Sequence, residues 1–437
     1  MTDCTPNRLE FARCQRRRVE AEFSGGEISS DGGVLVLSQL DRQLGLTAAL
    51  DRVLHDPRCP GRVEHSQLSL LRQRIYGLCL GYEDLNDHQT LRADPALQTA
   101  LNRVETLASS STLCRWENRM DRAAAVAWHA VLLEQFIDSF ASPPKELVLD
   151  FDATDDPLHG QQEGRFFHGY YDGYCFLPLY VFCGEQLLVS YLRRSNIDGA
   201  KHSWAILALL VKRLRQVWPG VRIIFRGDSG FCRDAMLRWC ERNDVGYIVG
   251  IAKNRRLLGR IENALVDAKT TAALSEAPLR YFKQLTYAAE SWKTPRRVVA
   301  KIEILEKGAN PRFIVTNLKG PGQRLYERLY CARGDMENRI KEQQLGLFAD
   351  RTSCHEWWAN QCRLLLSSTA YVLMERLRAQ VLQGTPLARA QVTTIRLTLL
   401  KIGAVVVRNT RRVRLLFSSA YPLQTLFAQV VARLVPG

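Results

Sequence analysis

The strongest indication of the fold is the stretch KELVLDFDAT, residues Lys145–Thr154. An apolar run of strand character ends there in acidic residues. Because successive side chains of a strand point to opposite faces, Asp150 and Asp152 are predicted to share one face. The stretch therefore predicts a strand that presents carboxylates where it ends.

A second carboxylate closes an almost identical element. Residues Val221–Asp228, VRIIFRGD, again form an apolar run that ends in acid. Gly230 follows and lets the chain turn away tightly. Two predicted strands therefore end in acidic residues, at Asp152 and at Asp228.

The third carboxylate, Glu337, lies in the stretch YCARGDMENRIK, residues Tyr330–Lys341. We predict a helix here that continues to about Phe348. Polar side chains recur at three- or four-residue spacing and form one stripe on that helix: Tyr330, Arg333, Glu337 and Lys341.

Three carboxylates of this kind suit a magnesium site. Mg²⁺ takes hard oxygen ligands and is usually held by one or two carboxylates with waters and substrate phosphate. Two ions roughly 3.5 to 4 Å apart, held by Asp152, Asp228 and Glu337, would activate the attacking oxygen and stabilise the leaving oxygen of a phosphoryl transfer; Mn²⁺ could substitute. Arg333 and Lys341, one helical turn either side of Glu337, could then bind the phosphate.

Each acidic residue also has a simpler interpretation. A single carboxylate at a strand end is usually a turn former or a solvated side chain. What favours the catalytic interpretation is the context that the three residues share, which is the order of the elements between them.

That order alternates strands and helices. Two strand candidates, Phe176–Phe182 and Leu187–Arg193, follow Asp152 and are joined by a predicted hairpin turn. A helix that Pro219 stops comes next, then the strand that ends in Asp228. A helix over about 234–242 and the strand Tyr247–Ala252 complete the series. Three meandering strands, helix, strand, helix, strand is the ribonuclease-H-like order, which predicts an α/β fold with a ribonuclease-H-like catalytic core.

Several motifs resemble those of a known family, the DDE transposases of bacterial insertion sequences. The resemblance rests on the segments DAT at 152–154 and GDSGF at 227–231, and on the Tyr330, Arg333, Glu337 stripe. The segment HGQQEG at 159–164, followed by GYY at 169–171, is similar to the signature of insertion-sequence family 1380. In the wider group the stripe ends in a lysine seven residues after the glutamate, where this chain has Gln344.

The resemblance implies a function. It implies a transposase that binds the inverted-repeat ends of its insertion sequence, cleaves the DNA and joins the 3'-hydroxyl ends to target DNA. The partners would be double-stranded DNA, both element ends and target, and a second copy of the chain in a synaptic homodimer.

Charge agrees with a polyanionic partner. The 437 residues carry a net charge of +15, and the pI is near 9.4. From Gly384 to Gly437 there are eight Lys or Arg and no Asp or Glu. Within this tail Arg408, Arg411, Arg412 and Arg414 cluster rather than scatter. We therefore expect Arg411, Arg412 and Arg414 to bind DNA rather than form a merely solvated face.

The sequence carries no signal peptide and no apolar run of membrane-spanning length. We therefore expect a cytoplasmic protein, associated with the bacterial nucleoid and not with a membrane.

Breaks in composition predict five parts. Ser142 and two prolines precede the first catalytic strand, and some seventy residues separate the strand near Lys253 from the Glu337 helix. The predicted parts are a mainly helical N-terminal DNA-binding domain (1–143), the first part of the core (144–253), a β-rich insertion (254–325), the core completion with the Glu337 helix (326–383) and a basic C-terminal region (384–437).

Trp292 lies in the predicted insertion beside three basic residues, Lys293, Arg296 and Arg297. It is a candidate for stacking on an unpaired base at the element end. A tryptophan half-buried on the insertion is the alternative.

Two other functions remain open at this point. The run Asp150–Thr154 also fits the Asp-x-Asp-x-Thr signature of haloacid-dehalogenase-like phosphatases, with Asp150 as nucleophile and Asp152 as general acid. That interpretation leaves Glu337 and the basic tail unexplained. The third possibility is a catalytically inactive, transposase-derived DNA-binding protein.

Overall fold

The computed structural model describes residues 8–275, 279–305 and 308–435. Contacts divide the chain into two compact units. We call residues Glu117–Glu375 the central unit, and the segments Met1–Trp116 and Arg376–Gly437 together the terminal unit. None of the described helices is long and apolar enough to cross a membrane.

The N-terminal segment is mainly helical from residue 34 onward. Its elements are β1 Leu9–Cys14, β2 Arg17–Ala21, β3 Ile28–Ser29, α1 Val34–Leu44, α2 Leu46–Val53, α3 Gln67–Leu80, α4 His88–Leu91, α5 Pro95–Ala100 and α6 Ser110–Glu117. The antiparallel hairpin β1–β2 differs from the helical segment expected. Its residues are almost all exposed, so no alternation of buried and exposed side chains marks it in the sequence.

The central unit contains most of the strands. Its first elements are α7 Arg122–Ile137, β4 Glu146–Ala153, β5 Asp156–Pro157, β6 Phe166–His168, β7 Gly173–Phe176, β8 Leu179–Cys183, β9 Gln186–Tyr191, α8 Ser203–Val217, β10 Arg222–Gly227, α9 Asp234–Arg242 and β11 Gly246–Ile251. The strand predicted over Phe176–Phe182 is divided between β7 and β8. Pro178 lies at the division. Because proline has no backbone N–H to donate to a strand ladder, it interrupts the strand there.

The remaining elements of the central unit are α10 Arg255–Arg260, α11 Glu262–Ser275, β12 Leu279–Tyr287, β13 Arg296–Leu305, β14 Gly308–Ala309, β15 Arg312–Thr316, α12 Gly322–Arg324, α13 Gly334–Lys341 and α14 Trp357–Arg376. Helical turns of π and 3₁₀ type join α12 to α13 and extend α13 to Gly346. We call this segment, residues 322–346, the Glu337 helix. It agrees with the helix predicted from Tyr330 to about Phe348 and begins earlier.

One mixed sheet organises the central unit. Its strand order is β12-β13-β15-β11-β10-β4-β8-β9, with β14 paired to β13. The central strand β10 is parallel to both β4 and β11. Strand β8 is antiparallel to β4, and β9 is antiparallel to β8. Since β4 and β10 are parallel neighbours, their carboxyl ends, and the acids that follow, meet at the same edge of the sheet.

The predicted β-rich insertion contributes strands to the core sheet. Strand β15 pairs antiparallel with β11 and so extends that sheet. The middle of β11 is buried, and without β15 its outer backbone groups would have no partner there. Pairing with β15 satisfies them, which explains why the insertion joins the core.

The two faces of β4 and β10 pack against different helices. Leu149 and Phe225 belong to a core cluster that includes the buried residues of α8. Ile224 and Val148 face the other way and pack with Leu325 and neighbouring residues at the start of the Glu337 helix. The Glu337 helix therefore lies on the face that also carries Asp150 and Asp152.

The C-terminal segment completes the terminal unit. It contains α15 Val392–Ile395, β16 Ala404–Arg408, β17 Val413–Phe417 and α16 Gln424–Leu434. Strand β16 pairs with β17 and with β3 from the N-terminal segment. The basic C-terminal region and the N-terminal helices thus belong to one unit, and the finer five-part division stays a prediction.

Candidate active site

Pairs of side chains from β4 and β10 line the sheet face on which the predicted site lies. In the β4–β10 ladder Glu146 lies opposite Arg222, Val148 opposite Ile224, and Asp150 opposite Arg226. Directly opposite residues are close enough for their side chains to interact. The next acids along the two strands are Asp152, near the end of β4, and Asp228, directly after β10.

Asp150 is a structural residue. Its carboxylate is buried and accepts hydrogen bonds from the Nε and Nη2 atoms of Arg226. Burial raises the pKa of Asp150, although the Arg226 guanidinium opposes the rise. The Nη1 atom of Arg226 also donates to the carbonyl oxygen of Leu329. This pair therefore fixes the Glu337 helix against the sheet and leaves Asp150 unsuited to act as a nucleophile.

Asp228 is held by a tight turn. Its Oδ1 atom accepts a hydrogen bond of 2.8 Å from the backbone N–H of Gly230 and caps the helical turn Ser229–Phe231. Phe231 is buried against Phe151 and Phe225, with edge-on ring contacts. The aromatic core thus fixes the turn, and the turn fixes the Asp228 carboxylate at the sheet edge.

Arg333 joins the first predicted carboxylate to the third. Its Nη1 atom donates to Oδ2 of Asp152 at 3.2 Å, and its Nη2 atom donates to Oε1 of Glu337 at 2.8 Å. Asp152 and Arg333 are largely covered, whereas about half of the Glu337 side chain is exposed. One guanidinium therefore bridges two carboxylates that lie 185 residues apart in sequence.

The pKa of Asp152 depends on the charges of the other two predicted acids. Burial is the main cause that raises the pKa of Asp152 to about 6; the Arg333 guanidinium opposes this rise, and the charges of Asp228 and Glu337 add to it. A carboxylate surrounded by like charge favours a cation beside it. Arg333 supplies that cation in this structure.

Tyr330 packs beside the Asp228 turn because residue 250 is glycine. A Cβ atom on Gly250 would lie 2.5 Å from the Tyr330 hydroxyl and 2.9 Å from the backbone N of Ser229. Any larger residue would push the tyrosine or the turn away. Gly250 on β11 is a site residue that no motif in the sequence marks.

The end of the polar stripe has a structural role that the sequence did not reveal. The side-chain amide of Gln344 donates to the Asp155 carbonyl oxygen at 3.1 Å and to Oδ1 of Asp156 at 3.0 Å. Burial raises the pKa of Asp156 well above its usual range, which favours the protonated acid. Gln344 thus ties the Glu337 helix to the chain just after Asp152, while Lys341 is exposed.

The three predicted carboxylates fit a metal by their chemistry and not by their present arrangement. In residues 8–275, 279–305 and 308–435, no group of three His, Cys, Asp or Glu side chains is arranged to hold a metal ion. Three carboxylates nevertheless supply the hard oxygens that Mg²⁺ or Mn²⁺ takes. What lies between Asp152 and Glu337 here is the Arg333 guanidinium.

Comparison with known proteins gives the family. A family profile described as transposase DDE domain, group 1, matches residues 11–436, nearly the whole chain. The chain belongs to this family. It is therefore a DDE transposase by family, and its expected activity is that of an enzyme.

No curated protein matches the transposase in sequence. Among solved structures, it is similar to one described as the cryo-EM structure of the piggyBac transposase synaptic complex with hairpin DNA. The two are 10% identical, and the match covers 90% of this chain and 87% of that one with a TM-score of 0.38. A TM-score this low does not establish a shared fold.

The remaining predicted DNA contacts lie away from the carboxylates in sequence. Trp292 is half-buried, with its ring 5.7 Å from that of Tyr287 and the Arg296 guanidinium 5.1 Å from its centre. That packing matches the structural alternative for Trp292, and stacking on a base stays a prediction. Three exposed arginines lie in the β16–β17 hairpin of the transposase, two in its turn and the third in β17: Arg411, Arg412 and Arg414.

Tyr171 is the last residue of the GYY segment. Burial raises its pKa to about 12, and the charges of Asp155 and Asp152 contribute to the rise. Its ring contacts that of Tyr170, which is 86% exposed. The GYY segment thus presents an exposed aromatic side chain at Tyr170.

Proposed function

We propose that this transposase binds the inverted-repeat ends of its insertion sequence, cleaves the DNA and joins the 3'-hydroxyl ends to target DNA by two-metal phosphoryl transfer. Asp152, Asp228 and Glu337 would hold the ions. When bound, the two ions would activate the attacking oxygen and stabilise the leaving oxygen. The observation that carries this proposal is the single guanidinium of Arg333 bridging Asp152 and Glu337, at an edge where Asp228 raises the pKa of Asp152.

The chain's own residues have separate tasks in this proposal. Arg333 neutralises Asp152 and Glu337 while no other cation is near. When the two carboxylates hold metal ions, the Arg333 guanidinium would donate to a phosphate oxygen instead. Tyr330 and Lys341, on the same stripe, complete the phosphate contacts. Arg226 and Gln344 do not touch substrate; they hold the helix that presents the stripe.

The fold supports a ribonuclease-H-like core. In the central unit β9, β8 and β4 are successive antiparallel neighbours, and β10 and β11 follow as parallel strands on the other side of β4. That arrangement supports the succession predicted from the sequence, in which two further strands follow three meandering ones. The sheet extension β15-β13-β12 would be an insertion into this core.

The finer identity rests on motifs. The HGQQEG and GYY segments support membership of insertion-sequence family 1380 and hence a bacterial source, with action on nucleoid DNA. A homodimer in the synaptic complex would bring two such sites to two element ends. Arg411, Arg412 and Arg414 would contact DNA phosphates, Trp292 an unpaired base, and either Mg²⁺ or Mn²⁺ would serve.

The contacts of Asp150 disfavour the phosphatase alternative, in which this residue would be the nucleophile. Asp150 is buried and bound twice by Arg226, so it could not attack a phosphate without breaking that pair. The alternative of an inactive DNA-binding derivative is distinguished by experiment, because it would bind element ends without cutting them.

The test uses a duplex that carries the inverted repeats flanking the gene, identified by sequencing. Purified protein is incubated with this duplex or with one of scrambled ends, in Mg²⁺ or in EDTA. We expect Mg²⁺-dependent cleavage at the element ends and joined products with target DNA. Hydrolysis of p-nitrophenyl phosphate without DNA cleavage would favour the phosphatase, and specific binding without cleavage would favour the inactive derivative.

A further inference from the structure

A basic cleft lies at the opposite end of the sheet face that carries the candidate active site. It has a volume of about 330 Å³ and lies between the start of β4 and β10 and the start of the Glu337 helix. Four cations and one carboxylate line it: Arg222, Lys319, Arg324, Arg328 and Glu146. The cleft therefore carries three net positive charges.

The cations of this cleft are available to a ligand. Lys319, Arg324 and Arg328 are exposed to solvent. Arg222 is paired with Glu146 at 3.2 Å, but the two side chains are 57% and 40% exposed, so water screens that pair. The opening thus offers several donors to an anion without first breaking a buried contact.

The loop that presents Lys319 is fixed in advance. Arg297 donates to the carbonyl oxygens of Leu318 and Gly320 at 2.5 Å each, and so holds the loop from both sides of Lys319. Gly320 has a φ of +115°, a conformation that other residues rarely adopt. A preorganised loop loses little conformational freedom when a ligand binds.

The cleft and the carboxylates lie at a defined separation. Six residues of β4 separate Glu146 from Asp152, and six of β10 and its end separate Arg222 from Asp228. At about 3.3 Å per residue this is about 20 Å along the face. Each strand of a DNA duplex carries one phosphate about every 3.4 Å along the helix axis, so 20 Å measured along that axis corresponds to about six nucleotides.

We propose that this cleft binds the phosphate backbone of the element-end duplex, about six nucleotides from the phosphate at Asp152, Asp228 and Glu337. The proposal rests on the proposed function. The Glu337 helix spans the distance, with Arg324 and Arg328 near its start and Arg333 beside the carboxylates, so one rigid element aligns both contacts. The cleft contact carries no base information and sets the register of the duplex on the protein.

The test compares two charge-matched double variants. Arg324→Gln with Arg328→Gln removes two cations of the cleft. Lys212→Gln with Lys269→Gln removes two exposed lysines from α8 and α11, whose buried residues pack on the other face of the sheet. Binding to the element-end duplex is measured across salt concentrations, and thermal unfolding checks that both variants fold. All four side chains are exposed, so we expect both to fold as the wild type does.

We expect the cleft variant to bind more weakly and its salt slope to fall by about 0.9 for each phosphate that it no longer neutralises. The lysine variant should match the wild type. Single methylphosphonates placed five to seven nucleotides from the cleaved phosphate should weaken wild-type binding and have no further effect on the cleft variant. A cleft variant that matches the lysine variant would overturn the proposal. If the wild type itself fails to bind element ends, the proposed function fails instead.

Discussion

Asp150 and Asp152 lie two residues apart on β4, and each binds an arginine, yet the two pairs differ in burial and in geometry. The Asp150 side chain is 3% exposed and receives two hydrogen bonds from an arginine on the neighbouring strand. The Asp152 side chain is 15% exposed and receives one, at 3.2 Å, from Arg333, which it shares with Glu337.

The difference separates a structural carboxylate from a functional one. A buried pair cannot exchange its partner without leaving an uncompensated charge in a low-dielectric interior, so it can only hold structure. A carboxylate that keeps some solvent exposure and shares its arginine, as Asp152 does, can give that arginine up to a phosphate and accept another cation. Residue type alone does not distinguish the two roles, since both positions are aspartate.

Breaking the buried pair should give the largest loss of stability. Asp150→Asn leaves the Arg226 charge uncompensated, and we expect the free energy of unfolding to fall by about 3–5 kcal/mol. The double variant Asp150→Leu with Arg226→Met should recover most of that loss, because it removes both charges. Urea denaturation measures both values. A loss below about 1 kcal/mol for Asp150→Asn would show that the pair is not structural.

Removing the shared arginine should act on catalysis. Arg333→Ala should lower the rate of end cleavage by about 10²-fold, since a preorganised donor to the reacting phosphate is removed. The choice of ends should not change, because a phosphate contact carries no sequence information. Arg333→Lys should be more active than Arg333→Ala but less active than wild type, because lysine lacks the planar guanidinium. Full activity of Arg333→Ala in a single-turnover cleavage assay would show that the polar stripe has a structural role and not a catalytic one.

The raised pKa of Asp152 should appear as a pH dependence of stability without divalent metal. The unfolded chain releases this proton near pH 3.8, whereas the folded protein keeps it until about pH 6. Between these values the folded state binds more protons, so its stability falls as pH rises from about 4 to about 6. We expect a fall of about 1–2 kcal/mol, below the roughly 3 kcal/mol for two pKa units, because the site is partly hydrated.

The difference between wild type and Asp152→Asn isolates this contribution, since other buried acids titrate in both proteins. In EDTA, Asp152→Asn should gain stability relative to wild type as pH rises through this window. A difference that stays constant across the window would show that Asp152 has an ordinary pKa in the folded protein.

The smallest effect should come from the tail. Arg411, Arg412 and Arg414 changed together to glutamine should reduce the salt slope of DNA binding by about 0.9 for each phosphate left without its arginine. The three side chains are exposed, so unfolding should be unaffected. An unchanged salt slope would make this turn a solvated surface and confine DNA binding to other parts of the chain.

The sequence predicts the elements of the core well because apolar runs and periodicity are local. Strands β4 and β10 and helices α8 and α9 lie within a few residues of their predicted bounds. The shared position of Asp152 and Glu337 is also predicted, since the motif spacing marks both. The arginine that joins them is on the predicted stripe.

Other features depend on contacts between distant segments. The Asp150–Arg226 pair follows from the register of β4 against β10, and the Gln344 contact with Asp156 joins residues 188 apart. The addition of β15 to the core sheet depends on an edge of β11 that only the fold creates. No local pattern encodes such pairings, so the sequence alone does not reveal that β15 extends the core sheet.

The most direct test of the account is DNA cleavage by Asp152→Asn, Asp228→Asn and Glu337→Gln at matched occupancy of element-end DNA. Each substitution keeps the shape of the side chain and removes a charged metal ligand. We predict that each lowers cleavage by about 10³-fold or more, since several kcal/mol of transition-state stabilisation are lost. Binding should stay close to wild type, because phosphate contacts by cations elsewhere dominate affinity. Cleavage near the wild-type rate in Asp152→Asn would contradict the account.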